Sequence, residues 1–401
     1  MAKQIKEEYD IVAEIGSGGM ARVYKAVQRS LDREVAIKEL KKDFQGDDRI
    51  VQRFEREAKI AASFQHENIV HIYDYWSKPT CSIAMEYVDG VSLSEIIMKA
   101  GPLPVNIGTM IAIQICNALA YAHMHGVIHR DIKPSNIMVR RNGEVKLMDF
   151  GIARIRDLDS LTIPGTLMGT PSYMSPEQVL GDTLDPRSDI FSLGIVLYEM
   201  FTGLKPFLDE ETQSITRKIV QARFLPPRRL NSDIPRRLQR MIRRCLRKKQ
   251  QRRYNTVQEL SRAMGKLVRG RTDKSASLKQ ISDYLVDEGL VEKLPENESI
   301  VLARDTFSMG TYSKVLLGGA VVLLLLFGGV TYYFWEKGRL PSFRVSPAQP
   351  APQPQPAAQP ALQPEIQQDI PPQQPAVVQP APPEQAAPPA PEPRASRKRR
   401  R

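Results

Sequence analysis

The sequence predicts an α+β, two-lobed fold. A small lobe built on an antiparallel sheet with one main helix precedes a larger helical lobe, and a single transmembrane helix and a disordered tail follow. Three observations predict it. Residues 9 to about 40 alternate apolar and polar positions around a glycine-rich break, as a hairpin does. From Ser92 onward apolar residues recur mainly at helical spacing. Composition then changes twice, first to an uncharged apolar run and then to a stretch crowded with Pro, Gln and Ala.

The elements follow in order. Ile50, Phe54, Ala58, Ile60 and Ala61 give residues 49–64 a helical spacing, and strand-like pieces occur at Val70–Trp76 and Ser82–Tyr87. Ile107, Met110, Ile111, Ile115, Ala118, Leu119 and Ala122 mark a long helix with a wide apolar face. Val139–Met148 reads as a short hairpin. Ile190–Met200 is apolar nearly all round, as a helix at the centre of a domain is. Pro235–Lys248 is amphipathic: Leu238, Met241, Ile242, Cys245 and Leu246 form one side. Arg236, Arg237, Arg240, Arg243, Arg244, Arg247 and Lys248 are left for solvent. The globular part is expected over 9–268, and 269–313 forms a polar linker of unassigned structure. Val315–Trp335 carries no charge over 21 residues. That length matches the ~20 residues that cross ~30 Å of hydrocarbon as helix. Tyr332, Tyr333 and Trp335 supply an aromatic belt at one end. Residues 336–401 have too few apolar side chains to build a core, so an extended, disordered tail with a basic end is expected.

The net charge of +12 is localised in a block from Arg223 to Arg253 and in Arg397–Arg401. The first block is most simply a solvated helix face. A nucleic-acid role is not expected, because no reader motif or interleaved aromatic platform accompanies it. The three cysteines, Cys81, Cys116 and Cys245, lack metal-ligand spacing, and Cys116 and Cys245, set in apolar helical patterns, read as small core residues in a reducing compartment. His66, His71, His123 and His125 show no ligand pattern either. Met1–Asp10 is polar and charged, so no signal peptide is expected there.

Four motifs carry chemistry. Gly16-Ser17-Gly18-Gly19-Met20-Ala21-Arg22-Val23 is a glycine-rich turn whose backbone N–H groups can approach phosphates closely. By itself it is common to many hairpins. Val35-Ala36-Ile37-Lys38 is a strand ending in lysine, and Glu57 lies on the following helix, where a Lys–Glu pair would hold Lys38 against phosphates. His129-Arg130-Asp131-Ile132-Lys133-Pro134-Ser135-Asn136 places a carboxylate that can accept a hydroxyl proton five residues before a metal-ligating amide. Asp149-Phe150-Gly151 adds a second oxygen ligand for Mg²⁺. Phosphoryl transfer is mainly positioning and charge neutralisation, so these few groups suffice.

With these motifs in this order and spacing, residues 9–265 resemble the protein-kinase superfamily. Segments such as "GSGGMARVYKA", "HRDIKPSNIMV" and "GTPSYMSPEQ" look most like the bacterial transmembrane, eukaryotic-like serine/threonine kinases. The resemblance implies a two-lobed kinase fold and a set of roles. Gly16, Ser17, Gly18 and Gly19 match the phosphate-covering loop, with Ala21 in place of its third glycine. Ile15, Val23, Ala36 and Met138 match the adenine sandwich, Met85 the gatekeeper, and Glu86 and Val88 the hinge. Lys38 and Glu57 match the ion pair, Asp131 the catalytic base, and Lys133 the residue steadying the γ-phosphate. Asn136 and Asp149 match the metal ligands. Ser175-Pro176-Glu177 replaces Ala-Pro-Glu, with the serine read as harmless. Glu177 is expected to pair with Arg253, and Asp189 to brace the catalytic loop. His129 reads as a packing residue there. Lys133 and Thr170, which matches the substrate-site threonine, point to Ser/Thr acceptors. Thr162 and Thr166 are the expected autophosphorylation sites of the activation loop, with Arg130 as the partner of the phosphate.

The resemblance thus implies ATP with Mg²⁺, Mn²⁺ being an acceptable substitute, and protein substrates. It implies a single-pass protein of the cell membrane with the kinase domain in the cytosol and the tail outside. The flanking charges, Arg304 and Lys314 against Lys337, Arg339 and Arg344, slightly favour the reverse orientation. The cytosolic location of ATP outweighs them. Contact of the arginine face with anionic lipid is a further expectation, and a homodimer is left open. The rival readings, a kinase-fold scaffold or a receptor acting by binding partners, are disfavoured by the presence of Lys38, Glu57, Asp131, Asn136 and Asp149 together.

Overall fold

The structure, a computed structural model, describes residues 8–78, 80–150, 171–208, 212–268 and 273–293. The first sheet is antiparallel and runs β1-β2-β3-β5-β4, from β1 (Tyr9–Ser17), β2 (Ala21–Gln28), β3 (Arg33–Leu40), β4 (Ile72–Trp76) and β5 (Ser82–Glu86). Side chains alternate between the faces of a strand. In β3, Val35 and Ile37 therefore join Tyr9, Ala26 and Ala84 on one face. Ala36 and Leu40 join Ile83 and Met85 on the other. Lys38 shares the second face.

After a short turn of helix, α1 (Lys42–Gln45), comes α2 (Asp48–Ala62). Asp47 caps it by accepting from the Arg49 N–H at 2.9 Å. Its buried stripe, Ile50, Phe54, Ala58 and Ala61, packs on the second face of the sheet and sets the rotation that turns Glu57 toward β3.

The larger lobe begins with a three-stranded sheet in the order β6-β7-β8, from β6 (Gly90–Ser92), β7 (Ile137–Arg140) and β8 (Val145–Leu147). Gly90 is dictated by crowding: a Cβ there would lie 2.1 Å from the carbonyl oxygen of Val139. The helices are α3 (Leu93–Ala100), α4 (Val105–Met124), α5 (Pro176–Leu180), α6 (Pro186–Thr202), α7 (Thr212–Gln221), α8 (Arg236–Cys245), α9 (Val257–Gly265) and α10 (Lys274–Asp287). α6 is the central helix its sequence predicts, with Ile190, Phe191, Leu193, Ile195, Val196 and Met200 fully buried. The three cysteines are buried thiols, and burial pushes the Cys245 thiol up to about 12. Among the described residues only α4 is long and apolar enough to cross a membrane, and it is a core helix of this lobe. The expected span at 315–335 and the tail lie outside the described residues.

One boundary differs from expectation. The folded lobe does not stop at Val268, because α10 packs against it with Ile281 and Leu285 at 0% exposure. Ser282 Oγ donates to the Arg141 carbonyl at 2.5 Å. At Gly143, where φ is +85°, a Cβ would lie 2.1 Å from the Leu278 carbonyl oxygen. Ile281 and Leu285, with the partly buried Tyr284, Leu290 and Val291 beside them, dock a helix that composition alone reads as linker.

Candidate active site

The glycine-rich turn joins β1 to β2 and is closed by the Gly18 N–H donating to the Ala21 carbonyl at 2.8 Å. A Cβ at Gly19 would meet no atom within 4 Å, so the protein's own packing does not demand glycine there. Ile15 stands 48% exposed at the end of β1, an apolar side chain presented on the underside of the small lobe's turn. Ala36 lies opposite Met85 in the β3–β5 register, and Val23 opposite Lys38 in the β2–β3 register. Met85 and Val88 are buried, and Met138 on β7 is half-buried and packs with the same cluster. Val23, Ala36, Met85, Val88 and Met138 thus share one apolar cluster.

Glu86 ends β5. Its backbone N–H donates to the His71 carbonyl at 2.8 Å, and its carboxylate pairs with Arg140 and, at 2.9 Å, with Lys146. This cluster, half-buried to buried, ties the hinge to β7 and β8. Sequence reasoning gave Glu86 a backbone role only.

Lys38, Glu57, Met85, Met148 and Asp149 line a small cavity of about 30 Å³ behind the hinge. Lys38 Nζ lies 2.6 Å from Asp149 Oδ1. The expected partner, Glu57, lines the same cavity and adds its charge to that of Asp149 on Lys38. Asp149 has a positive φ of +59°, and its carboxylate meets Lys38 on β3. Phe150 holds that turn by packing its buried ring on Phe64 and His129, with centroids 5.1 and 4.5 Å away. Burial alone would lower the Lys38 pKa; the charges of Asp149 and Glu57 and the hydrogen bond to Asp149 outweigh it and leave the pKa raised. Lys38 is therefore an ammonium at neutral pH.

The catalytic-loop residues converge on Asp131. Its Oδ2 accepts from Lys133 Nζ at 2.9 Å and from Asn136 Nδ2 at 3.1 Å, and Asn136 Nδ2 also donates to the Asp131 carbonyl at 2.9 Å. With its amide nitrogen committed to Asp131, Asn136 keeps its amide oxygen for another ligand. That oxygen and the Asp149 carboxylate are hard donors suited to Mg²⁺. Among the described residues no group of three or more His, Cys, Asp or Glu side chains forms a metal site by itself. An ion held by Asn136 and Asp149 would therefore need oxygens from a bound phosphate and water. Beside Asp131 opens a larger cavity of about 280 Å³, lined among others by Arg130, Lys133, Tyr173 and Lys205.

Asp189, on α6 and 1% exposed, holds this loop from beneath. Its Oδ2 accepts from the His129 N–H at 2.8 Å and its Oδ1 from the Arg130 N–H at 2.9 Å. Arg130 has φ of +69°, a conformation a non-glycine residue keeps only when its surroundings over-determine it. The clamp does so, helped by Gln178 Nε2 donating to the Arg130 carbonyl at 2.8 Å. His123 Nε2 also donates to Asp189 Oδ2 at 2.7 Å, a bracing role that its sequence context did not signal. His129 is fully buried: its Nδ1 accepts from the Asp131 N–H at 3.3 Å and its Nε2–H donates to the Met148 carbonyl at 3.1 Å. That pairing and its pKa, lowered by burial, describe a neutral imidazole that packs and positions.

Glu177 at the start of α5 and Arg253 form a buried two-pronged pair at 2.6 and 2.8 Å. The other Arg253 donors reach the carbonyls of Arg187, Arg247 and Lys248, so all of its N–H groups are satisfied. Ser175 does more than fit: it is the N-cap of α5 and forms a reciprocal capping box with Gln178. Thr162, Thr166 and Thr170 lie outside the described residues.

Comparison with known proteins agrees with this geometry. Residues 9–263 match the family model described as protein kinase domain. A probable serine/threonine-protein kinase of Clostridium acetobutylicum is 44% identical over 257 residues, 64% of this chain and 39% of the relative. Another from Clostridium perfringens is 40% identical over 261 residues, 65% of this chain and 38% of the relative. Serine/threonine-protein kinase PrkC of Bacillus subtilis is 41% identical over 261 residues, 65% of this chain and 40% of the relative. The chain thus spans about two-fifths of the length of the curated relatives it matches. With its fold, catalytic loop and buried brace all in place over residues 9–263, the chain belongs to the protein kinase domain family.

Proposed function

We propose that the chain is a serine/threonine protein kinase that transfers the γ-phosphate of ATP to protein hydroxyls, its own activation loop included. The observation that carries this reading is the convergence of Lys133 and Asn136 on Asp131, with the Lys38–Asp149 pair under the small lobe. In this reading the hinge at Glu86 and Val88 hydrogen-bonds adenine through its backbone. Ile15, Val23, Ala36 and Met138 sandwich the ring, and Met85 closes the pocket behind it. Lys38 neutralises the phosphates, with Glu57 as a second carboxylate within reach of it. The open space at Gly19 leaves room for phosphate oxygens to meet backbone N–H groups of the turn. Asn136 and Asp149 would hold Mg²⁺ against the phosphates, and that ion supplies charge neutralisation. Asp131 orients the acceptor hydroxyl and takes its proton, while Lys133 offsets the charge that builds on the transferring group. In this reading Thr170 serves the substrate site, and Thr162 and Thr166 carry the activating phosphates.

Residues 315–335 are proposed to cross the cell membrane once, with the kinase domain in the cytosol and the tail beyond Arg339 outside. The partners that go with this reading are Ser/Thr-bearing proteins, the bilayer and its anionic lipid. The full chain incubated with Mg·ATP and a generic basic protein should yield phosphoserine and phosphothreonine and carry phosphate on Thr162 and Thr166. Asp131→Asn should abolish both reactions. Undiminished transfer by that variant would overturn the site assignment, and an active enzyme with an unmodified loop would overturn Thr162 and Thr166. A reporter fused after Arg401 that is active in the cytosol would overturn the orientation.

A further inference from the structure

α8 buries one side against the larger lobe through Leu238, Met241, Ile242 and Cys245. Its other side is cationic. The seven arginine and lysine side chains between Arg236 and Lys248 are all exposed. No aspartate or glutamate occurs between residues 234 and 258. None of the seven has an acidic partner among the described residues. Arg244 lies over the Tyr254 ring at 4.1 Å, and Arg240 Nε reaches only the Arg236 carbonyl at 3.4 Å.

The arrangement works against the stability of the helix. Arg236, Arg240, Arg243 and Arg247 follow one another at spacings of three and four, where like charges repel. Arg236 and Arg237 sit in a first turn that carries no acid and has no side-chain cap, at the positive end of the helix dipole. The turn preceding α8 is joined to it by the Arg228 N–H donating to Gln239 Oε1 at 3.2 Å. It adds the exposed Arg229 and leaves Leu230 41% exposed beside it. A cationic helix face with an exposed leucine in the adjoining turn is complementary to an anionic surface that accepts a leucine at headgroup depth.

We infer that this face of α8 docks the kinase domain on an anionic lipid bilayer. The inference rests on the membrane-anchored reading above and adds the surface and the ligand class: lipid headgroups with net negative charge. Twenty-one residues separate Lys293 from Val315. Fully extended they reach about 70 Å, so an anchored domain is free to turn α8 to the membrane. Docking then confines the active site to substrates at the membrane surface.

The test uses the full chain in vesicles of phosphatidylcholine with and without phosphatidylglycerol. The native cysteines are buried, so a fluorophore on Lys248→Cys labels α8 selectively. Quenching by a headgroup-attached quencher should occur only with phosphatidylglycerol and should vanish at high salt. It should fall by more than about tenfold when Arg240, Arg243, Arg244 and Arg247 become Gln together. That variant should keep its phosphotransfer to a soluble peptide, which shows that it is folded. Equal quenching in the two lipids, quenching that survives the substitutions, or no quenching in either lipid would overturn the inference; the last outcome would leave an acidic protein as the partner. Flotation with neutral vesicles at high salt reports the spanning segment separately. A chain that fails to float there loses the anchor reading, and α8 is then judged by salt-sensitive flotation with phosphatidylglycerol vesicles, which the substitutions must abolish.

Discussion

Lys38 and Asp149 meet at 2.6 Å between the lobes, joining the third strand of the small sheet to the segment that follows β8. The raised pKa of Lys38 keeps this contact charged across the physiological range. Replacing Lys38 with Met removes a cation that acts on the transferring phosphate. The rate kcat should fall by about a hundredfold or more while the thermal midpoint stays near that of the parent. Steady-state phosphotransfer and a melting curve check both halves. A variant with normal kcat and a raised KM alone would mean that Lys38 only binds.

Asp189 illustrates a positioning residue. Its two oxygens take three donors, from His129, Arg130 and His123. Asp189→Asn replaces one acceptor by a donor, so at least one of the N–H groups loses its partner in a fully buried site. A loss of roughly 2–4 kcal/mol is expected. Arg130 should also relax from its positive φ and carry Asp131 with it. The check is kcat measured well below the melting temperature, together with hydrogen exchange of the 129–131 amides. A stability loss with unchanged kcat and exchange would reduce Asp189 to a packing role.

Much of this site was legible in the sequence, for identifiable reasons. Val35-Ala36-Ile37-Lys38 read as a strand ending in lysine, which is part of β3, and the all-round apolar pattern of Ile190–Met200 marked α6 as central. The Glu177–Arg253 pair, 76 residues apart, came only from resemblance, since no local pattern joins two such residues. The close contact of Asp149 with Lys38 was not legible: the two residues are 111 apart in sequence, and the positive φ of Asp149 leaves no local pattern. His123 was missed because a single histidine on a helix carries no sign of the aspartate it will meet. The helix α10 was missed because its few apolar residues are scattered through a stretch, 269–313, that is polar as a whole.

Acid should unfold the larger lobe in a definable window. Burial would raise the pKa of Glu177, but the hydrogen bond and charge of Arg253 outweigh it and hold it below the ordinary 4.5. Asp189 likewise lies below the ordinary 3.8, burial being outweighed by the hydrogen bond and charge of His123. For a carboxylate whose folded pKa is depressed, the unfolded chain binds protons first as pH falls. Stability from both groups is therefore complete above pH 4.5 and is lost progressively below 3.8. Glu177→Gln should cost about 3–5 kcal/mol at neutral pH by stranding the Arg253 charge, and should flatten the acid limb. Denaturant titrations across pH would show this; an acid limb unchanged in the variant would assign acid unfolding to other carboxylates.

The packing of α10 yields a prediction in which backbone and side chain can be separated. Gly143 meets α10 at its tightest point, with a positive φ and no space for a Cβ. Gly143→Ala should strain the β7–β8 turn and push the helix off together. Leu285→Ala leaves the turn alone and opens a cavity beneath α10, at a cost of roughly 2–5 kcal/mol to docking. Because α10 contributes only Ile281 and Leu285 to the buried core, that loss is large against its whole contact, and the helix should come away while the rest of the lobe stays folded. Hydrogen exchange should then rise over 274–291 in both variants, and over 141–145 in Gly143→Ala alone. The Lys274–Glu67 ion pair is half-exposed and should not hold the helix by itself. Unchanged exchange over 274–291 in both variants would mean that α10 is retained by something other than these contacts.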